Sequence, residues 1–204
     1  MGNRFMEIAF TADVQRKQAE LGSRAGYARA AGGPDWGDEL GVTEASFIGN
    51  RDSFYMASIG QTGWPYIQHR GGPKGFVRVL DSRTIGFADF TGNRQYISIG
   101  NLSGDDRVSL FFMDYANRAR LKLFGHAALV DAADTEVMAR LAVPGYRARV
   151  ERGMIIRIAG FDWRGMDEDR VGDWGNGKPN GTRDGHFRLA LEAPGPFAIS
   201  SLSV

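Results

Sequence analysis

The middle of the chain alternates apolar and polar side chains with a period of two, which predicts strands rather than helices. Residues 53–59 (SFYMASI) and 64–70 (WPYIQHR) form one predicted hairpin across the glycine turn 60–63. Residues 76–80 and 84–90 form a second, joined through Asp81-Ser82-Arg83. Residues 108–114 (VSLFFMD) are almost continuously apolar and predict a central strand, with Phe111, Phe112 and Met113 in the core. After the Ala116-Asn117-Arg118 turn comes a long strand over 121–130, in which Gly125 marks a bulge or a close backbone approach. Residues 154–163 (MIIRIAGFDW) complete the set.

Helices are few. Thr11 caps a helix predicted to run to about Ala31, where Gly32-Gly33-Pro34 stops it. Its apolar face (Val14, Leu21, Tyr27) is thin, so it belongs on the surface. Thr43 caps a short helix holding Phe47 and Ile48, and Asp134 caps another to about Leu141. Thr91-Gly92-Asn93 is a tight turn into a helix carrying Tyr96, Ile97, Ile99 and Leu102. Beyond Arg164 the chain turns to Gly, Asp, Arg and Asn, a loop with an acidic run at Asp167, Glu168, Asp169 and Asp173. A short edge strand is predicted over 187–191. The pattern divides the chain into a helical segment (1–43), a β domain (44–163) and a loop with a tail (164–204). A mainly β fold with short helices results, closed or partly closed as an antiparallel barrel.

Composition narrows the chemistry. A net charge of +1 gives no global attraction to nucleic acid or to an anionic membrane, so any phosphate binding is local. Without cysteine there are no disulfides, no thiol catalysis and no cysteine-held metal. No His/Asp/Glu spacing rises to a metal site. No apolar run approaches a membrane span and the N-terminus lacks a signal-peptide core, which makes the cytoplasm the expected location.

One stretch concentrates polar chemistry. Arg70 and Lys74 precede the strands 76–80 and 84–90, and Asn93, Arg94 and Gln95 follow them. If the strands are antiparallel neighbours, both clusters converge on one anion. A turn with backbone N–H groups beside a guanidinium suits a phosphate. The ordinary alternatives are a solvated turn for Arg94, a salt bridge to an aspartate such as Asp89 for Arg70, and a solvated lysine for Lys74. Alternation puts Gln68 and Arg70 on one face of their strand and His69 on the other. His126 reads as a core histidine. The basic run 146–152 reads as a solvated face or part of a dimer rim.

The phrases RDSFYMAS (51–58), GWPYIQHRGGPKGF (63–76), GFADFTGNRQYISIGNL (86–102), DRVSLFFMDYANRARLKLFGHA (106–127) and PGYRARVER (144–152) together resemble the pyridoxamine 5′-phosphate oxidase-like, FMN-binding split-barrel family. The resemblance covers roughly residues 44–163. It implies a six-stranded antiparallel split β-barrel and a homodimer with FMN at the subunit interface. It implicates Gln68, His69 and Arg70 along the flavin ring and ribityl chain, and Lys74 at the phosphate or ring. Phe90 and Thr91 match flavin contacts, and Asn93, Arg94 and Gln95 match the phosphate-binding turn. Asn117, Arg118 and Arg120 match a segment reaching the ring from the second subunit. No catalytic residue is assigned.

The resemblance breaks near its end. Many relatives follow a tryptophan with an Asn-Cys-Pro-Gln-His-type segment, whereas Asp162-Trp163 is followed here by RGMDEDRVGDWG. His186 and Arg188 are spaced as an H-x-R pair, but in different surroundings. The expectation is therefore an FMN-dependent oxidoreductase acting on a small molecule, with the substrate open. The alternatives are a deazaflavin (F420)-dependent reductase, a non-catalytic flavin- or haem-binding module and an oligonucleotide-binding barrel. The last requires stacking aromatics on an open face, and Phe54, Met56, Phe111 and Phe112 read as internal.

Overall fold

The computed structural model describes residues 3–31 and 37–164 of the 204-residue chain. The acidic run, the His186/Arg188 pair and the strand expected over 187–191 lie outside the described residues. The elements are α1 (Arg4–Ala9), α2 (Ala12–Glu20), α3 (Arg24–Ala31), α4 (Val42–Gly49), β1 (Ser53–Ile59), β2 (Pro65–Gly71), β3 (Arg78–Asp81), β4 (Thr84–Phe90), α5 (Ile97–Leu102), β5 (Arg107–Asp114), β6 (Ala119–Asp131), α6 (Thr135–Leu141) and β7 (Val150–Arg164).

All seven strands join one sheet in the order β2-β1-β5-β6-β7-β4-β3. Every pairing is antiparallel. The fold is mainly β with short helices, an unclosed antiparallel sheet that matches a split barrel with one strand more than the expected six. β2 and β3 are consecutive in sequence yet lie at opposite edges of the sheet. The loop 72–77 joins those edges, and its Phe76 and Val77 are buried. The opening between β2 and the β4–β3 side is the split.

The core fills the curled sheet. Phe54 is 1% exposed, stacks on Phe112 at 4.9 Å between ring centroids and meets Phe87 edge-on at 5.3 Å. Phe76 reaches Phe54 and Phe87 from the bridging loop. Leu110, Leu121, Leu123, Met154, Ile156 and Phe161 complete the interior. On β5 the inward residues are Val108, Leu110 and Phe112, while Phe111 and Met113 are half-buried on the outer face. The apolar run is thus one core face and one covered face, not core throughout.

Four expectations change. The helix over 11–31 is two helices, because Gly22 adopts φ +81° and breaks the run between α2 and α3. Thr11 does cap α2, its side chain accepting from the Val14 N–H. The fourth helix starts earlier than Thr43, at Val42, where Glu44 accepts from the Gly41 N–H at 2.9 Å. His126 is not a core residue. β6 buries Leu121, Leu123, Gly125 and Ala127, so the period of two turns His126 outward onto Asp106, with Nδ1 2.9 Å from Oδ1. The last strand begins at Val150, four residues before the apolar run, because Val150 and Arg152 pair with β4.

Gly125 does mark a bulge. The β6–β7 register shifts between Phe124 and Gly125, and a Cβ there would lie 2.7 Å from the Arg157 carbonyl oxygen.

Candidate functional site

The split supplies the cleft. Gln68 and Arg70 project from β2, and Asp89 and Phe90 come from the end of β4. The turn 91–96 closes the top. Two adjoining regions, both open to solvent, share Gln68, Arg70, Asp89, Phe90 and Gly92.

A chain of charges runs along the floor. Arg70 pairs with Asp89 across the split, linking β2 to β4 without a backbone hydrogen bond. The Asp89 carboxylate also lies 3.6 Å from Arg152 Nε, and Arg152 Nη2 donates to Glu151 at 2.8 Å. The Arg152 guanidinium sits over the Tyr96 ring, 5.3 Å from its centroid. Arg70 Nε and Arg152 Nε are buried without a hydrogen-bond partner within the chain. Arg152 lines neither region and its Nε faces Asp89, whereas Arg70 lines both and keeps one buried donor unspent, an arrangement that native proteins reserve for water, ions or ligands.

The turn is conformationally unusual. Among the described residues, positive φ outside glycine occurs at Arg94 (φ 60°), Tyr96 (φ 54°) and Arg118 (φ 51°). Left-handed backbone at a non-glycine residue is unfavourable by about 1 kcal/mol or more and gathers at functional sites. Two of these residues shape the candidate phosphate turn, and the third lies in the β5–β6 turn. Asn93 Oδ1 accepts from the Gln95 N–H at 3.2 Å, an Asx turn that fixes the loop. Arg94 Nε donates to the Tyr96 hydroxyl at 3.0 Å, and this contact raises an already high guanidinium pKa. Thr91 is tied to Arg149, its N–H donating to the carbonyl at 2.9 Å.

A second irregularity aims Glu151. Asp89 faces Arg152 and Phe90 faces Val150, so Glu151 is the extra residue of a β-bulge. Glu151 and its neighbour Arg152 therefore bond to each other beside the cleft instead of alternating across the strand. Burial pushes the Glu151 carboxyl up. Hydrogen bonds from Arg152 and Thr91, with the charges of Arg152 and Arg94, outweigh that and hold it below the usual carboxylate range.

Of the residues named from sequence, Gln68, Arg70, Phe90, Thr91, Asn93, Arg94 and Gln95 line this cleft. Gln68 Oε1 accepts from the Ser98 hydroxyl at 2.8 Å, which orients its amide. His69 borders the wider region, and its ring packs edge-on against Tyr55 at 5.5 Å. Lys74 is exposed on the bridging loop and lines neither region. Asn117, Arg118 and Arg120 belong to the β5–β6 turn and its exit, away from the cleft of the same chain. There Asn117 bonds both Asp114 oxygens, at 3.1 and 3.0 Å, and Arg51 reaches Asp114 at 2.7 Å.

Tyr66, Asp89, Tyr96, Ser98, Tyr146 and Glu151 also line the cleft and were not singled out from sequence as cofactor contacts. An aspartate inside the apolar strand IGFADF was a usable signal for Asp89. Glu151 offered none, since its inward aim depends on the bulge. Among the described residues, no group of three or more His, Asp or Glu side chains is placed to hold a metal ion. Nor is any helix there long and apolar enough to cross a membrane.

Comparisons with known proteins place this architecture. A family model described as pyridoxamine 5′-phosphate oxidase matches residues 43–163, more than half of the chain. A search of curated proteins returned no match. Among solved structures, similarity extends to a Clostridium acetobutylicum protein related to general stress protein 26, of the pyridoxinephosphate oxidase family. It shares 13% identity, covers 61% of this chain and 87% of its own, and has a TM-score of 0.44. An FMN-binding protein from Syntrophomonas wolfei shares 13% identity over 74% of this chain and 94% of its own, with a TM-score of 0.43. An F420 reductase shares 16% over 57% of this chain and 94% of its own, with a TM-score of 0.41. With a family model spanning β1 to β7 and a sheet split in the matching way, the chain belongs to the pyridoxamine 5′-phosphate oxidase family.

Proposed function

We propose that the protein is an FMN-binding flavoprotein, a homodimer, and an oxidoreductase acting on a small molecule. One observation carries the reading. Polar residues of β2 and of the left-handed turn 91–96, about two dozen residues apart in the chain, meet across the split around one open cleft. The guanidinium side chains of Arg70 and Arg94 in its lining suit an anionic guest.

In this reading Arg94 and the backbone of Gly92 and Asn93 hold the phosphate. Arg70, already anchored by Asp89, presents its remaining N–H groups to the same end of the cofactor. Gln68, fixed by Ser98, hydrogen-bonds the ring or the ribityl chain. The bound flavin would supply hydride acceptance and donation, and the protein would supply orientation and exclusion of water. His69 is turned toward Tyr55 and has no assigned proton-transfer role.

A second copy would complete the site. Asn117, Arg118 and Arg120 lie far from the cleft of their own chain, so any contact they make with a flavin comes from a partner subunit. The outer face of the β2–β1 side carries exposed Ile67 (65%), Ile59 (40%) and Tyr55 (39%), an apolar surface suited to burial in a dimer.

The test is an absorbance scan of freshly purified protein, with FMN added if it is colourless, followed by titration of Arg94→Ala. Flavin bands that weaken in the variant support the site. A colourless wild type that ignores FMN refutes the FMN reading and favours the deazaflavin alternative. Tight FMN binding without turnover by any nicotinamide or oxygen favours a non-catalytic module.

A further inference from the structure

The cleft is not simply basic. Arg70 and Arg94 line it together with Asp89 and Glu151, and Arg152 pairs with both carboxylates beside it, so the cluster sets three guanidiniums against two carboxylates. Asp89 has a structural task, since it is 8% exposed and bridges Arg70 and Arg152. Glu151 has no comparable task in the core. Its side chain is 18% exposed, comes from a bulge and occupies the Arg152 guanidinium next to the phosphate turn.

We propose that Glu151 is the charge-selecting residue of this site: it competes with a bound phosphate for Arg152 and Arg94, so the site accepts a singly charged phosphate more readily than a doubly charged one. The inference rests on reading the turn 91–95 as the phosphate site. With both carboxylates ionised, the cluster has one positive charge in excess, which a monoanion neutralises and a dianion overshoots. A phosphate monoester loses its second proton near pH ~6. Binding of a monoester at higher pH therefore takes up one proton from solvent, onto a phosphate oxygen or onto Glu151. Among the described residues, the groups facing Glu151 are Arg152 on its own strand, Arg94 and Thr91 on the turn, and Asp89 on β4 through Arg152.

The test is titration of FMN, and of riboflavin as the phosphate-free control, into wild type, Glu151→Gln and Glu151→Asp between pH 5.5 and 8.5. Inorganic phosphate is added to the same proteins in thermal unfolding. At pH 8, Glu151→Gln binds FMN about tenfold more tightly than wild type, the scale of removing one like charge a few ångströms from a half-exposed anion. Its affinity changes less with pH, riboflavin distinguishes the two proteins little, and Glu151→Asp keeps the wild-type profile. Equal or weaker FMN binding by a folded Glu151→Gln overturns the proposal. If wild type ignores FMN, the cofactor reading falls separately. Charge selection then stands only if phosphate raises the unfolding temperature of Glu151→Gln more than that of wild type at pH 8, and it is overturned if phosphate does not.

Discussion

Arg70 on β2 and Asp89 on β4 form an ion pair across the one gap in the sheet that backbone hydrogen bonds do not close. Both side chains are largely buried, at 13% and 10% exposure, and Asp89 also serves Arg152. Removing one partner of a buried pair leaves the others uncompensated. Asp89→Asn should lower stability by about 2–4 kcal/mol, seen as a shifted denaturation midpoint. An unchanged midpoint would show that the pair adds nothing across the gap.

Arg94 is exposed on a turn and takes no part in the core. Arg94→Ala should leave folding intact and weaken FMN by about 10–100-fold, the range of one charge-assisted hydrogen bond. Retention of wild-type affinity by the folded variant would remove the turn from the site.

Gly125 has no room for a side chain. A Cβ would meet the Arg157 carbonyl oxygen and Ile156 Cγ2, each at 2.7 Å. Gly125→Ala should cost about 1–3 kcal/mol, read by thermal or chemical unfolding. An alanine accommodated without loss would mean that β7 shifts freely at the bulge.

The exposed outer face of β1 and β2, bearing Tyr55, Ile59 and Ile67, leads to an assembly prediction. Wild type should sediment at twice the chain mass, and Ile67→Glu should shift it toward monomer with weaker FMN binding. A monomeric wild type that binds FMN fully would contradict the two-chain site.

Asp114 gives a pH signature. The Asn117 side chain, opposed by burial and joined by the Asn117 N–H and Arg51, holds its carboxyl below the usual range. A folded pKa below the unfolded value of about 3.9 means that the stabilisation is present above that pH and fades as pH falls through the folded value. Asp114→Asn should therefore cost about 1–2 kcal/mol at pH 7 and progressively less below pH ~4. A gap independent of pH would assign the loss to packing instead.

Much of this was legible because the period of two is strong wherever the strands are half-buried. Phe54 and Met56, or Leu121 and Leu123, announce an inward face by spacing alone. His126 was misplaced because the apolar neighbours outweighed its position in the alternation. The start of β7 escaped because Arg149, Glu151 and Arg152 look solvated, although all three are held in an ion pair or a backbone contact. The turn 91–95 was found by its residue types. Glu151 was not, because its bulge, unlike the one at Gly125, carries no glycine and follows only from how β4 and β7 pair.

The bridging loop 72–77 has a consequence for ligand size. Phe76 pins it, Gly75 takes φ +77° with its N–H donating to the Arg51 carbonyl at 3.0 Å, and a Cβ at Gly72 would lie 2.6 Å from the Phe76 ring. Strand register fixes the rest of the barrel, but along this arc a tether determines the circumference. Inserting one residue there would let the wall swing outward without breaking a single rung of the ladder. The loop is thus a covalent clasp on the split, acting beside the Arg70–Asp89 pair, and its length helps to set how far the two edges can part.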